Sequence, residues 1–348
     1  MRDFSLLITN WYRQNKRDLP WRDTNNPYKI WLSEILLQQT RVSQGLPYYQ
    51  KFIKNFPTVN DLANSDEQKV LKLWQGLGYY SRARNLHHAA KTIRDEHKSK
   101  FPDNYKEIRA LKGVGDYTAA AVASFAFNIP KAVVDGNVYR VLSRYFNDPE
   151  PIDTAQGKKL FQKYAEELLP HDNSAEHNQA IMELGAIVCT PKSPDCDNCP
   201  LNEACLANRM HTIDQLPVKS KKTKVTNKYF YYLFENEKSF SLEKRTSGIW
   251  KNMFQLPLIE SNEKLSFGEL EKKAKKKYNL TVLKKGKIST YKHILSHQKI
   301  NAEFWRVKDK QHRRNDKEIN ISLKSINEYP IPRVIDRFFE DNFNEYNE

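Results

Sequence analysis

The stretch Leu111-Lys112-Gly113-Val114-Gly115-Asp116-Tyr117-Thr118-Ala119-Ala120 decides the reading of the N-terminal part of the chain. Helical patterns lie on either side, and the Gly-x-Gly between them turns one helix into the next. Glycine reaches positive φ and lets a ligand approach the backbone closely. The start of the following helix exposes amide N–H groups that suit a phosphate. An ordinary helix–helix turn carries the same signature, so the pattern alone names no ligand.

Outward from this turn, helical spacing runs from residue 1 to about 215. Apolar residues recur that way in Ile30-Trp31-Leu32 with Ile35-Leu36-Leu37, in Val70-Leu71 with Leu73-Trp74, and from Tyr117 to Ala123. Asn25-Asn26-Pro27, Phe56-Pro57, Gly76-Leu77-Gly78 and Phe101-Pro102-Asp103 punctuate them. No internal repeat is present, which excludes a solenoid. Residues 218–228 are basic and poor in apolar side chains, as a linker would be. Beyond them the grammar changes. Tyr229–Phe234 and Lys238–Glu243, joined through Glu235-Asn236-Glu237, predict a β-hairpin. Further strands are expected at 281–283, 300–305 and 319–323, with helices near 266–278 and 331–343. The expectation is a multidomain chain: an all-α domain over 1–217, a basic linker over 218–228 and an α+β domain over 229–348.

The 348 residues suffice for two or three compact units, and 39% hydrophobic content is that of a globular protein. The formal net charge of +15 favours a polyanionic partner, because phosphates neutralised by Lys or Arg release condensed counterions. A generically basic surface would carry the same charge. No apolar run approaches bilayer length, which excludes a membrane span of that kind. The segment Met1–Tyr12 reads as an amphipathic helix rather than a signal peptide, so a cytoplasmic protein is expected by default; a monomer is the expected state.

All four cysteines, Cys189, Cys196, Cys199 and Cys205, fall in one C-x6-C-x2-C-x5-C array beside Pro191, Pro194 and Pro200. So dense a set in a cytoplasmic chain argues for metal ligation over disulfides. Four thiolates on one turn system can close around a [4Fe–4S] cluster. Zinc is the competing occupant, but four-cysteine zinc sites usually show two close pairs, and here only Cys196 and Cys199 form one.

In Val133-Val134-Asp135-Gly136-Asn137-Val138, Asp135 stands where a helix N-cap would stand. Amide donors and the helix dipole there hold a carboxylate ionised. A plain structural cap is the alternative.

Taken in order, the hairpin, the Val133–Val138 stretch and the cysteine array resemble the helix-hairpin-helix DNA glycosylase superfamily, over essentially all of residues 1–215. The resemblance implies a bilobal helical domain, hairpin amides of Gly113 and Gly115 on DNA, and a nucleotide rotated out of the stack. The endonuclease III branch carries a Schiff-base lysine after the hairpin; this chain has Tyr117. The helix Trp31-Leu32-Ser33-Glu34-Ile35-Leu36-Leu37-Gln38-Gln39-Thr40 is similar to that of adenine DNA glycosylases, the MutY family, as are Arg17–Arg22 and Gly76–Arg82.

That likeness implies removal of adenine mispaired with 8-oxoguanine or guanine in duplex DNA, without lyase activity. Glu34 matches the family's general acid. Its apolar neighbours Trp31, Leu32, Ile35, Leu36 and Leu37 would raise its pKa by excluding water. An ionised Asp135 would stabilise the sugar cation, repeating the two-carboxylate logic of sugar hydrolases. Tyr117 and Asn137 are implied to orient Asp135 and the attacking water. Gln39, Leu77 and Tyr79, with Thr40 beside them, match residues that fill the gap left by the extruded base. Exposure decides between wedge and core for Leu77 and Tyr79. Arg17, Trp21 and Arg22 match DNA- or adenine-contacting positions.

Residues 229–345 are similar to the family's Nudix-like domain, without the acidic magnesium box, and so imply recognition of 8-oxoguanine without hydrolase activity. Leu295-Ser296-His297 matches a Phe-Ser-His loop, with an aliphatic residue replacing the aromatic. Lys112 stands where the family usually has proline. An endonuclease III-like lyase and a catalytically silent DNA-binding protein remain the rival readings.

Overall fold

The computed structural model describes residues 2–220, 225–235, 239–309, 318–343 and 346. By backbone proximity the chain forms two compact units, Met1–Asn64 with Asn85–Lys221, and Ser65–Arg84 with Lys222–Glu348. No described helix is long and apolar enough to cross a membrane.

Among the described residues, twelve α-helices precede the first strand: α1 (Arg2–Asn15), α2 (Pro27–Leu37), α3 (Val42–Asn55), α4 (Val59–Asn64), α5 (Glu67–Leu73), α6 (Ser81–Glu96), α7 (Tyr105–Ala110), α8 (Asp116–Phe127), α9 (Gly136–Tyr145), α10 (Ala155–Leu168), α11 (Ser174–Ile187) and α12 (Leu206–Arg209). The start of α2 is set by Pro27 in its first turn and by Asn26, whose side chain accepts from the Lys29 amide. Tyr28 and every residue from Ile30 to Leu36 are buried, so α2 runs through the interior with no solvent face. Against it packs α8, whose buried Ala119, Ala120, Ala121 and Ala123 let the two backbones come close. Phe4 and Ile8 of α1, Val138 and Leu142 of α9, Phe161 of α10 and Ile181 and Leu184 of α11 share a second core. Each such side chain contributes about 1.5–3 kcal/mol by leaving water.

Among its described residues the second unit holds two sheets and, besides α5, two further long helices. Strands β1 (Thr226–Phe234), β2 (Ser239–Lys244), β3 (Phe254–Gln255), β4 (Leu258–Ser261), β5 (Leu280–Ile294), β6 (Gln298–Asp309) and β7 (Glu318–Ser322) are accompanied by α13 (Phe267–Tyr278) and α14 (Arg333–Asn342). One sheet has the order β4-β1-β6-β5 and the other β3-β2-β7. Residues 236–238 of the predicted hairpin lie outside the described residues, and its two strands do not pair with each other: β1 pairs in parallel with β6, whereas β2 pairs antiparallel with β7 and β3. Phe230–Phe234 are buried without alternation, as a central strand requires, and strand propensity does not select the partner. β1 begins at Thr226, within the stretch 218–228 expected as linker, of which residues 221–224 lie outside the described residues. Within this unit α5 and its flanks are tied down by Asn252 Nδ2 donating to Glu67 Oε1 (2.6 Å) and Arg84 Nη1 donating to the Lys251 carbonyl (2.9 Å).

Candidate active site

Glu34 lies two-thirds of the way along buried α2 and is only 7% exposed. Its Oε2 accepts one hydrogen bond, from Tyr117 Oη at 2.6 Å. Burial pushes the Glu34 carboxyl up to about 7; the negative charge of Asp135 adds to the rise, while the Tyr117 bond and the Arg22 charge oppose it. The group can therefore hold a proton near neutrality inside an apolar shell. Tyr117, implied by family likeness to orient Asp135, instead gives its hydroxyl to Glu34.

Asp135 caps α9. Its Oδ1 accepts from the Asn137 and Val138 amides, both at 2.8 Å, and its Oδ2 accepts from Asn137 Nδ2 at 2.8 Å. Burial raises this carboxyl too, against those three donors and the charge of Arg140. With three donors against one at Glu34, Asp135 is the carboxyl of the pair that ionises first. Asn137 is itself held, its Oδ1 accepting from Arg140 Nη2 at 3.0 Å. Arg140 also donates to the carbonyls of Gly185 and Cys189, each at 2.6 Å.

Arg17 and Arg22, in the loop between α1 and α2, converge on the Glu183 carboxylate of α11. Trp21 is buried at 8% exposure, edge-on to Tyr49. Among the expected wedge residues, Gln39 is exposed and has φ 55°, with Thr40 half-buried beside it. Tyr79 is 42% exposed and has φ 48°. A left-handed backbone at a non-glycine residue stores strain of the kind found at ligand sites. Leu77 is 6% exposed, and by that criterion it packs in the core.

Leu295-Ser296-His297 forms the turn between β5 and β6, closed by the Leu295 amide on the Gln298 carbonyl at 2.8 Å. Ser296 and His297 are exposed and Leu295 half-buried, which removes the reading of His297 as a core residue. Ser296 Oγ and Tyr79 Oη, both in the second unit, are hydrogen-bonded to each other. The adjoining Ile294 is 75% exposed.

In the hairpin between α7 and α8 only Gly113 needs its freedom: φ is 82°, and a Cβ there would meet Asn85 at 2.6 Å. Gly115, expected to share this role, has φ −93° and caps α8 with no side-chain bond; a Cβ on it would meet nothing within 4 Å. What Gly115 supplies is an open approach to the first amides of α8. Lys112, next to Gly113, is exposed.

Cys189, Cys196, Cys199 and Cys205 line one cleft with apolar walls from Val141, Leu184 and Ile213, about 430 Å³ including space open to solvent. Arg144 Nη1 lies 3.3 Å from Cys189 Sγ. Among the described residues no three His, Cys, Asp or Glu side chains converge as ligands of a single ion.

Sequence patterns gave no signal for Glu183, Arg140 or Gly185. A Cβ on Gly185 would lie 2.7 Å from the Asn137 side chain and 2.9 Å from its carbonyl, so α11 approaches the head of α9 only because this residue is glycine.

The family model of HhH-GPD superfamily base excision DNA repair proteins matches residues 32–171, and that of the NUDIX domain matches residues 229–341. The adenine DNA glycosylase of Buchnera aphidicola subsp. Baizongia pistaciae is 38% identical over 299 residues, 84% of this chain and 83% of its own. That of the Schizaphis graminum subspecies is 35% identical over 352 residues, 97% of this chain and 98% of its own. Among solved structures, a thermostable thymine-DNA glycosylase superposes with TM-score 0.55 at 31% identity, covering 60% of this chain and 95% of its own. A non-covalent endonuclease III–DNA complex, at TM-score 0.52 and 21% identity, shares the helical fold. A likeness that runs almost end to end and spans both the helical and the Nudix-like parts makes this chain a member of the adenine DNA glycosylase family within the helix-hairpin-helix superfamily.

Proposed function

We propose that this chain hydrolyses the N-glycosidic bond of adenine mispaired with 8-oxoguanine or guanine in duplex DNA, releasing the base without cutting the strand. The observation that carries this reading is the pairing of Glu34, buried and protonated up to about 7, with the triply bonded Asp135. Glu34 gives its proton to a ring nitrogen of adenine, and the base leaves with the electrons of the glycosidic bond. The cation left on the sugar lies under the field of Asp135. Water adds to that cation and loses a proton, so adenine and an abasic site are the products. No lysine follows the hairpin to form a Schiff base; Tyr117 occupies that place and serves Glu34. Duplex DNA fits the net charge of +15 and the uncapped α8 amides at Gly115.

Residues 1–217 are assigned to the glycosylase domain, 218–228 to the connection and 229–348 to a module that reads 8-oxoguanine. In that module the exposed β5–β6 turn with Ser296 and His297 supports contact with the opposite base, and Tyr79 beside it supports a wedge. Replacing Ser296 and His297 together by alanine is expected to cut the preference for 8-oxoguanine over guanine several-fold. Unchanged discrimination in single-turnover assays would show the turn to be misassigned.

Cys189, Cys196, Cys199 and Cys205 are the ligands of a [4Fe–4S] cluster in this reading. What supports the cluster over zinc is that the four thiols line one cleft while only Cys196 and Cys199 form a close pair in sequence, where four-cysteine zinc sites usually show two such pairs. Held by these four cysteines, such a cluster would brace the Cys189–Cys205 loop. Stoichiometric zinc in place of iron and sulfide would overturn it.

The deciding experiment is single-turnover cleavage of adenine opposite 8-oxoguanine and opposite guanine. Free adenine with strand breakage only after alkali is expected. Rapid breakage without alkali would favour a lyase, and no adenine release would refute the reading.

A further inference from the structure

Glu183 is fully buried on α11, yet it is surrounded by five donors. Its Oε1 accepts from Arg17 N (3.0 Å), Arg17 Nε (2.8 Å) and Arg22 Nη1 (3.0 Å), and its Oε2 from Arg17 Nη2 (2.6 Å) and Arg22 Nη2 (2.5 Å). Arg22 Nη1 also donates to the Arg17 carbonyl at 3.0 Å, and its guanidinium lies 5.6 Å from the centre of the Tyr12 ring. Burial alone would raise the Glu183 carboxyl, but the Arg17 and Arg22 bonds outweigh it and hold the group at about 2. So it is an anion at every working pH. Removing it would leave two guanidinium groups facing each other, Arg22 only 11% exposed and Arg17 37%.

A brace for the loop between α1 and α2 would explain the bonds but not what the trio does to its surroundings. The groups that act on Glu34 are Tyr117 from α8, Asp135 at the head of α9, and Arg22 from this loop. α3, which also packs on α2, presents Tyr49, engaged edge-on with Trp21. On the far side Tyr12 of α1 faces the trio and stays neutral to about 12. Arg22 is thus the cation that bears on the acid, and a bare buried cation favours the carboxylate over the protonated form.

We propose that Glu183 is a positioning residue for adenine excision: with Arg17 it fixes Arg22 in one place and neutralises its charge, so that the acid at Glu34 keeps its proton. The inference rests on the function proposed above. Glu183 touches no reacting atom. It acts through Arg22, and its signature is a change in pH dependence rather than in rate alone.

The test is the pH profile of single-turnover adenine release by the full chain on a duplex with 8-oxoguanine opposite adenine. Glu183→Gln, which keeps shape and loses charge, is expected to move the alkaline limb about one unit toward acid, so that the loss of rate at pH 8 exceeds that at pH 6 by up to ~10-fold. Arg22→Met is expected to move the limb toward alkali, whatever it does to the maximal rate. The double variant is expected to lie between the two. If Glu183→Gln does not fold, Arg22→Met alone decides, and an unmoved limb overturns the proposal. An equal loss of rate at every pH in Glu183→Gln would reduce the residue to a brace and overturn it as well. Failure of the unmodified chain to release adenine is a different outcome, and it would refute the proposed function instead.

Discussion

Glu34→Gln is expected to abolish adenine release, by ~10³-fold or more, while binding to the mismatched duplex stays within a few-fold. The amide has the shape of the acid and can still accept the Tyr117 hydroxyl, now at 2.6 Å from Oε2, but it has no proton to give at working pH. Affinity for duplex is governed by phosphate contacts, and a residue 7% exposed on a buried helix makes none. Unmodified protein should lose activity as pH rises through about 7, where Glu34 ionises. Stability provides an independent check. The folded chain retains the Glu34 proton between the ordinary carboxyl range and about 7, whereas the unfolded chain has lost it. Stability therefore falls as pH rises across that window, and above it the full cost of a buried anion is present. Glu34→Gln removes that cost, so thermal melting should show the variant gaining on the parent between pH 5 and pH 8. Near-normal turnover in the variant would end the assignment of Glu34 as the acid.

The parts of this site that were legible in the sequence are those fixed locally. Asp135 reads as an N-cap because the residues that cap it, Asn137 and Val138, follow it directly, and the backbone donors are where that spacing puts them. The burial of Glu34 is visible in the apolar residues on both sides of it, since a helix without a polar face has nowhere to go but the interior. Parts that depend on distant partners were not legible. Family likeness singled out Arg22, but its partner stays hidden until α11, 161 residues away, brings Glu183 to it. Family likeness implied Tyr117 to orient Asp135, and only the packing of α8 on α2 shows its hydroxyl on Glu34. The same limit explains the missing hairpin: Tyr229–Phe234 and Ser239–Glu243 carry strand propensity, but pairing is chosen by the parallel β6 and by β7, sixty or more residues later. It also explains Ser65–Arg84, helical by pattern, whose compact unit is the second one. Gly185 is silent for a different reason, because a helical glycine shows its purpose only when the facing backbone is known.

Asp135→Asn is expected to lower the rate of adenine release at least ~10³-fold with little loss of stability. As an N-cap asparagine is as good as aspartate, so Oδ1 can keep the Asn137 and Val138 amides and α9 should remain folded to within about 1 kcal/mol. Catalysis suffers twice. A neutral amide leaves the developing sugar cation without its counter-charge in a site where burial makes that charge count. The substitution also places an NH2 group where Oδ2 now accepts from Asn137 Nδ2 at 2.8 Å, setting donor against donor. Asn137 could relieve this by turning its amide over, but its Oδ1 would then leave Arg140 Nη2, now 3.0 Å away. A second substitution separates the two effects: Asn137→Ala keeps the Asp135 charge and both backbone bonds but removes the side-chain donor and the Arg140 link. If counter-charge dominates, Asn137→Ala should lose far less rate than Asp135→Asn, by a factor of ~10 or more. Equal losses in the two variants would mean that the alignment of the carboxylate, rather than its charge, limits the reaction.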